Sequence, residues 1–378
     1  ALYDLTSLQR DATRLLGYSA QQTLDYTQAL YEKKLVTYPR TDSRYLTEDM
    51  EPCLPDLVRQ TAFHFGVTGE IPIHAKQVIN SKKVSDHHAI LPTRSMANAD
   101  LSSLPAGESH VLRLIAARLL AAVGEPYRYA ETTVQMECAG TVFTAKGKTV
   151  LAEGWKAVER AVLGDTAEKD KEKLEILPEV QERETMPVLD AQLKEGKTSP
   201  PKHYTEDTLL SAMETAGKEE LPKEAERRGI GTPATRAGII EKLVKKGFLA
   251  REGSGKTKNL TPTEKGRALI AVMPEEIQSP AMTADWEQKL LQIERGELEP
   301  ETFMDEIEQM VASLVETSEA VKGASMLMKN NSKIVGVCPH CGAEVAEREK
   351  GWFCTNRECR FVIWKDNAFF KRLGKHIT

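Results

Sequence analysis

Apolar residues change their spacing several times along this chain, and no all-α or all-β domain can satisfy that succession. Behind Ser19, the run AQQTLDYTQALYEKK places Ala20, Leu24, Thr27, Leu30 and Tyr31 on one side of a helix, with Ser19 suited to cap it and Gly17 to mark its start. From Glu108 to Val123 the apolar residues Val111, Leu112, Leu114, Ile115, Leu119 and Leu120 are too many for a narrow stripe, which predicts a helix buried on most sides. The period then shortens. From Glu131 to Trp155 apolar and polar residues alternate, with Ala139-Gly140 and Lys146-Gly147 as turn signals, so antiparallel strands are expected. The strand-like PVLDAQLKEG, from Pro187, is expected to return to the same sheet, and the charged GDTAEKDKEKLE, from Gly164, reads as a connection between them.

The helical period resumes between Thr205 and Ile270. In its middle Thr232 can cap, Pro233 fits a first helical turn, Ala237, Ile239, Ile240, Leu243 and Val244 supply a buried face, and Gly247 is the stop. FLAREGSGKTKNLTPT then reads as two short strands around a Gly-Ser-Gly turn. A helix followed by a basic hairpin is the pattern of a winged-helix module, with a plain αββ packing unit as the alternative. The fold class expected is therefore α+β, in several domains for 378 residues.

A net charge of −5 conceals strong segregation. Lys223 to Lys258 holds ten Lys or Arg against four acidic residues, and Lys329 to Thr378 ten against five. Both blocks suit a polyanion or a solubilising surface. Between them, Glu275 to Ala320 carries thirteen acidic residues against two basic, a solvated helical face that nucleic acid would avoid. No apolar run approaches the ~18 residues needed to span a bilayer, and no signal peptide is present, so no membrane association and a cytoplasmic location are expected. The chain opens on Ala1 and ends without a tail-like composition, and both ends are expected to be cuts.

Six cysteines in so long a chain make no disulfide scaffold, but four of them lie close together near the C-terminus. Cys338 and Cys341 enclose two residues, twelve follow, and Cys354 and Cys359 enclose four. Paired thiolates at this spacing can close a tetrahedral Zn²⁺ site in a C-terminal ribbon, with reduced cysteines in a degenerate ribbon as the alternative. Trp352, Phe353, Phe361 and Trp364 stand among Arg357, Arg360 and Lys365, offering either base-stacking surfaces or the ribbon's own small core.

Three segments carry chemistry. In TYPRTDS, Thr37 to Ser43, a β-favouring approach and Pro39 place Tyr38 at the end of a short strand or in a loop. A phenol, which ordinarily titrates near pH ~10, needs a positive and partly dry site before it can attack phosphorus. Arg40 is suited to supply that field and to hold two phosphate oxygens, unless it pairs with Asp42 at the surface. SDHHAILPT, Ser85 to Thr93, contributes His87 and His88. PPKHYTEDTLLSAMETAG, from Pro200, is followed by GIGTPATRAGIIEKL, from Gly229, where a glycine-rich lead-in and a capped helix N-terminus make Thr232, Thr235 and Arg236 candidates for gripping a phosphate.

With these segments, and with LTSLQRDATRLLGYSAQQTLDYTQALYEKKLVTYPRTDS at its start, the chain resembles the type IA DNA topoisomerases, the topoisomerase III branch in particular, essentially from end to end. The resemblance implies that Tyr38, Arg40 and His87 are catalytic: one DNA strand is broken through a 5′-phosphotyrosine, another strand passes, and the break is resealed without ATP, relaxing negative supercoils or decatenating DNA. It implies a tyrosine-bearing domain over 1–123, a β-rich arch over 124–195, a winged-helix-like domain over 196–322 and a zinc ribbon over 333–378. At Leu91 some members have arginine, which puts a phosphate contact there in doubt. The family's metal-binding Toprim domain, which holds Mg²⁺, has no counterpart in this sequence, so a Toprim-containing segment or partner chain is expected to supply it, and the isolated chain to bind single-stranded DNA but cleave it poorly. The rival is a non-catalytic single-stranded DNA-binding scaffold in which Tyr38 is structural.

Overall fold

Asp4 starts the first helix by accepting the Ser7 amide at 2.7 Å, and helix α1, Leu5–Leu16, runs to Gly17, whose φ of 75° forms a left-handed cap. Gly17 thus ends one helix, where sequence reading used it to open the next. Ser19 begins α2, Ala20–Glu32, through a capping box with Gln22, as expected. Helices α3, Leu54–His64, and α4, Ala106–Val123, complete the first layer. Val111, Leu112, Leu114 to Ala117 and Leu119 to Val123 of α4 are buried, so the helix is enclosed on most sides, as its composition requires. It packs against α1, α2 and α3 around a core that includes Leu5, Leu8, Leu30, Leu46 and Ile90.

The structure is a computed structural model that describes residues 1–69, 71–164, 177–216, 229–317, 334–348, 350–356, 358–366 and 372. The chain divides into two units, Ala1–Thr263 with Pro274–Thr317, and Glu264–Met273 with Ser318–Thr378.

After α4, β1, Arg128–Cys138, pairs antiparallel with β2, Thr141–Ala152, through a two-residue turn at Ala139 and Gly140, both at positive φ. Lys146-Gly147 is no turn: Gly147 pairs with Thr132 inside β2, where its small side leaves the ladder intact. The ribbon is two-stranded. Residues 187–196 join no strand, and Leu189 and Leu193 are 92% and 94% exposed, because alternation alone cannot supply a partner edge. Most of the charged 164–175 segment lies outside the described residues. Helix α5, Trp155–Leu163, returns the chain to α4.

Helix α6, Glu206–Thr215, and α7, Pro233–Lys245, with hairpin β3, Leu249–Glu252, and β4, Asn259–Pro262, enclose a small core of Leu210, Ala237, Ile240 and Leu260 that also takes Ala20 of α2. The helix-plus-hairpin order is the one expected. Helices α9, Pro280–Glu294, and α10, Pro300–Thr317, carry most of the acidic stretch. In the second unit, α8 spans Glu264–Val272, and β5, Ile334–Val337, β6, Glu344–Arg348, β7, Gly351–Cys354, and β8, Val362–Trp364, form one antiparallel sheet in chain order. No helix among the described residues is long and apolar enough to cross a membrane.

Candidate active site and metal centre

Helix α2 ends with Lys33 and with Lys34 at φ 60°, and the Leu35 amide turns back onto the Leu30 carbonyl. That reversal sends residues 35–37 antiparallel to residues 91–93: Thr37 N–H donates to Leu91 O, Thr93 N–H to Leu35 O, and the Thr37 hydroxyl accepts the Leu91 amide. The pairing lays TYPRTDS against SDHHAILPT. SDHHAILPT is held further by Ile90 N–H donating to Tyr3 O and Ala89 N–H to Tyr45 O, and Leu5 N–H donates to Thr41 O, so the loop carrying Tyr38 is bound to two neighbouring segments. Within the loop the Thr41 hydroxyl donates to His87 O at 2.8 Å, which fixes the backbone of the histidine beside the tyrosine.

Tyr38 is half-buried and stands at the end of this short extended piece. Its ring lies 4.4 Å from the His87 ring, tilted by 43°, and meets Tyr31 edge-on at 5.5 Å. His87 and Arg40 are exposed, and Arg40 makes no ion pair among the described residues. Asp42, the surface partner considered for it, is instead 3.5 Å from the Ser85 hydroxyl. The Tyr38 and His87 rings thus meet two residues along the chain from an exposed guanidinium. His88 turns away and bonds its ring nitrogen to Ala89 O.

The lead-in to α7 separates its three candidates. Thr232 and Thr235 are exposed at the helix N-terminus, with Thr235 Oγ1 accepting the Thr232 amide at 3.0 Å. Arg236 faces inward at 3% exposure, donating to Ile230 O, Gly231 O and Thr6 Oγ1. Burial pulls its pKa below the ordinary guanidinium value, and Glu214 and Asp4 oppose the fall. In this position Arg236 braces the loop, and the two threonine hydroxyls are the candidate groups that remain exposed at the helix terminus.

At the C-terminus the four sulfurs of Cys338, Cys341, Cys354 and Cys359 lie within 4.8 Å of one another, a donor set and spacing that fit a tetrahedral metal ion. The thiols shift one another in opposite directions, Cys341 drawn down by the Ala343 amide and the Cys354 thiol while Cys354 and Cys359 are pushed up, as expected where four sulfurs crowd together and share protons. Of the aromatics nearby, Trp352 is buried against Cys338 and Val345, with Phe361 packed on them, whereas Trp364 remains 48% exposed. The two readings of this cluster thus divide between residues. Arg357 lies outside the described residues.

Sequence reading overlooked a run of charges behind the tyrosine loop. Arg44 donates to Asp4 at 2.6 Å and approaches Glu214 at 3.9 Å, while Arg118 donates to Asp11 at 2.6 Å and lies over the Tyr3 ring. Arg44 directly follows TYPRTDS, and that adjacency was the available signal.

Residues 1–305 match the sequence model of a family described as DNA topoisomerase. DNA topoisomerase 3 of Bacillus subtilis (strain 168) is 40% identical over 390 residues, covering 97% of this chain and 52% of the relative, and that of Bacillus licheniformis is 39% identical, covering 95% and 50%. The chain spans about half the length of the curated relatives it matches. The solved structure of full-length topoisomerase I from Thermotoga maritima is alike in fold, with a TM-score of 0.56 at 22% identity over 96% of this chain and 57% of that one.

Proposed function

The chain belongs to the DNA topoisomerase family, and from that premise we propose that it is the tyrosine-bearing part of a type IA topoisomerase III that breaks, passes and rejoins single-stranded DNA. The observation that carries the reading is the meeting of the Tyr38 and His87 rings at 4.4 Å, two residues along the chain from the exposed Arg40, which makes no ion pair among the described residues. In the forward step the Tyr38 oxygen forms a bond to phosphorus, the bond to the 3′-oxygen breaks, the phenolic proton is lost and the leaving oxygen gains one. Arg40 balances the charge that gathers on the phosphate oxygens, and His87 donates to one of them or assists the proton. Attack by the freed 3′-hydroxyl reverses every change, so the covalent link conserves the bond energy and no ATP is needed.

Thr232 and Thr235 grip the strand at the α7 terminus, with Arg236 holding the loop that presents them. Zn²⁺ is the metal of this reading for Cys338, Cys341, Cys354 and Cys359, where it would cross-link a sheet too small for a sizeable core of its own. Among the described residues no carboxylate cluster suits Mg²⁺, the four cysteines being the group that could hold a metal. The acidic, Mg²⁺-binding Toprim part of the site then comes from another segment or chain, and the division into tyrosine domain, arch, winged-helix-like domain and ribbon stands as part of the same proposal. The cytoplasm, where DNA lies, is the compartment it requires.

Mixing the chain with a separately made Toprim domain, Mg²⁺ and a single-stranded oligonucleotide tests it. A covalent protein–DNA adduct that Tyr38→Phe abolishes is expected, with little or none when Toprim is left out. Oligonucleotide binding without any adduct would leave only the scaffold reading.

A further inference from the structure

Glu214 sits where a glutamate is poorly served by its own helix. It lies in the last turn of α6, where the helix dipole disfavours a carboxylate, it is half-buried at 24% side-chain exposure, and Asp4 adds a second negative charge close by. Burial, first, and Asp4, second, push its pKa above the usual carboxylate range, against Arg44, Arg236 and Arg10. A residue held against local preference needs a compensating contact, and here there are two. Arg44 reaches Glu214 at 3.9 Å from the tyrosine loop, and Arg236 reaches it at 3.7 Å from the start of α7.

Each guanidinium is anchored on its own side. Arg44 also holds Asp4, the cap of α1, while Leu5 N–H donates to Thr41 O in the tyrosine loop. Arg236 also holds Ile230 O and Gly231 O, while Ile230 N–H donates to Met213 O, a carbonyl at the end of α6. Charges alternate from Asp4 through Arg44 and Glu214 to Arg236, and Glu214 is the member shared by the two loops.

We propose that Glu214 is a positioning residue that ties the loop carrying Tyr38 to the loop leading into α7, so that DNA gripped at Thr232 and Thr235 is presented in fixed register to the attacking tyrosine. The inference rests on the reading of Tyr38 as the nucleophile and of the α7 terminus as a DNA grip. Glu214 touches no reacting atom. It acts by removing relative motion between two contact points on one strand, and such misplacement lowers a rate more than an affinity.

Amide hydrogen exchange of the full chain, read by mass spectrometry, tests the tie without any DNA chemistry. Glu214→Gln keeps the side chain's shape and removes its charge. Exchange at Leu5, Ser43, Tyr45 and Leu46, and separately at Ile230 and Thr235, is expected to rise about tenfold, with α4 unchanged. Arg44→Ala is expected to free the tyrosine loop in the same way, and Arg44→Lys to recover part of its protection. Wild-type exchange in the tyrosine loop of Glu214→Gln would overturn the proposal, since Glu214 would then brace the α7 lead-in alone. In the adduct assay with Toprim and Mg²⁺, Glu214→Gln is expected to slow adduct formation about tenfold at saturating oligonucleotide while changing affinity less than about twofold. An unchanged rate would equally overturn it. If the wild-type chain formed no adduct, the proposed function would fall, and the exchange data would still decide whether Glu214 joins the loops.

Discussion

Tyr38 is held on two sides, edge-on by Tyr31 and by the tilted His87 ring, so in the proposed reaction its hydroxyl would lose little freedom on meeting a phosphate. Arg40 and His87 are both exposed, and in the proposed reaction Arg40 would contribute a planar, two-pronged hold on phosphate that lysine cannot reproduce. Arg40→Ala is expected to slow adduct formation about a hundredfold and Arg40→Lys by a lesser but clear factor, measured with oligonucleotide saturating. Behind the loop, Asp11 gives a pH signature. Burial pushes its carboxyl up, but Arg118, the Tyr3 hydroxyl and Arg14 outweigh that and leave it below the usual carboxylate range. A folded value below the unfolded one means that the ion pair stabilises above about pH 4 and that this stability is lost as pH falls through the folded value. Asp11→Asn is expected to cost about 2 kcal/mol at pH 7 in denaturant unfolding, with the gap from wild type closing in acid. At this scale the meeting of Tyr38 with His87 agrees with the expectation drawn from two short segments with distinctive chemistry. The inward turn of Arg236 was not, since burial of that guanidinium depends on Thr6, far away in sequence, and on Glu214.

Elements whose signals were local came out in the places read for them, the capped α2, the enclosed α4, α7 between Thr232 and Gly247, and the hairpin after it, but Tyr31 of α2 and Ile239 of α7, read onto buried faces, are 39% and 43% exposed. Where a segment needed a distant partner, the pattern was silent. Lys146-Gly147 looks like a turn until Thr132 is placed opposite Gly147, and alternation over 187–196 says nothing about which edge would receive it. The pairing of residues 35–37 with 91–93 is of the same kind, and no spacing in the sequence announces it. The glycine-rich lead-in to α7 can be tested on its packing. At Gly229, with φ 67°, an added Cβ would lie 2.1 Å from the Met213 carbonyl oxygen. Gly229→Ala is therefore expected to destabilise the first unit by about 1–3 kcal/mol in thermal or denaturant unfolding and to weaken oligonucleotide binding by displacing Thr232 and Thr235.

At the scale of the whole molecule, the two units rest on different physics. The first has a core built from α1 to α4 and needs no metal to exclude water from it, whereas the ribbon's core is Cys338, Val345 and Trp352 with a few half-buried neighbours. Chelation of a bound metal is expected to abolish amide protection in β5 to β8 while α1 to α4 keep theirs, and exchange measured before and after chelator would show it. The ribbon was legible from cysteine spacing alone, and the α+β class from the changes of period, because both depend on order along the chain rather than on distant contacts. The central claim concerns a single oxygen. A 3′-labelled oligonucleotide incubated with the chain, Toprim and Mg²⁺, then digested and sequenced by mass spectrometry, locates the nucleotide on the protein. The account predicts a nucleotide joined through its 5′-phosphate to the peptide containing Tyr38, at Tyr38 itself. Attachment at any other residue, or a link through a 3′-phosphate, would contradict it.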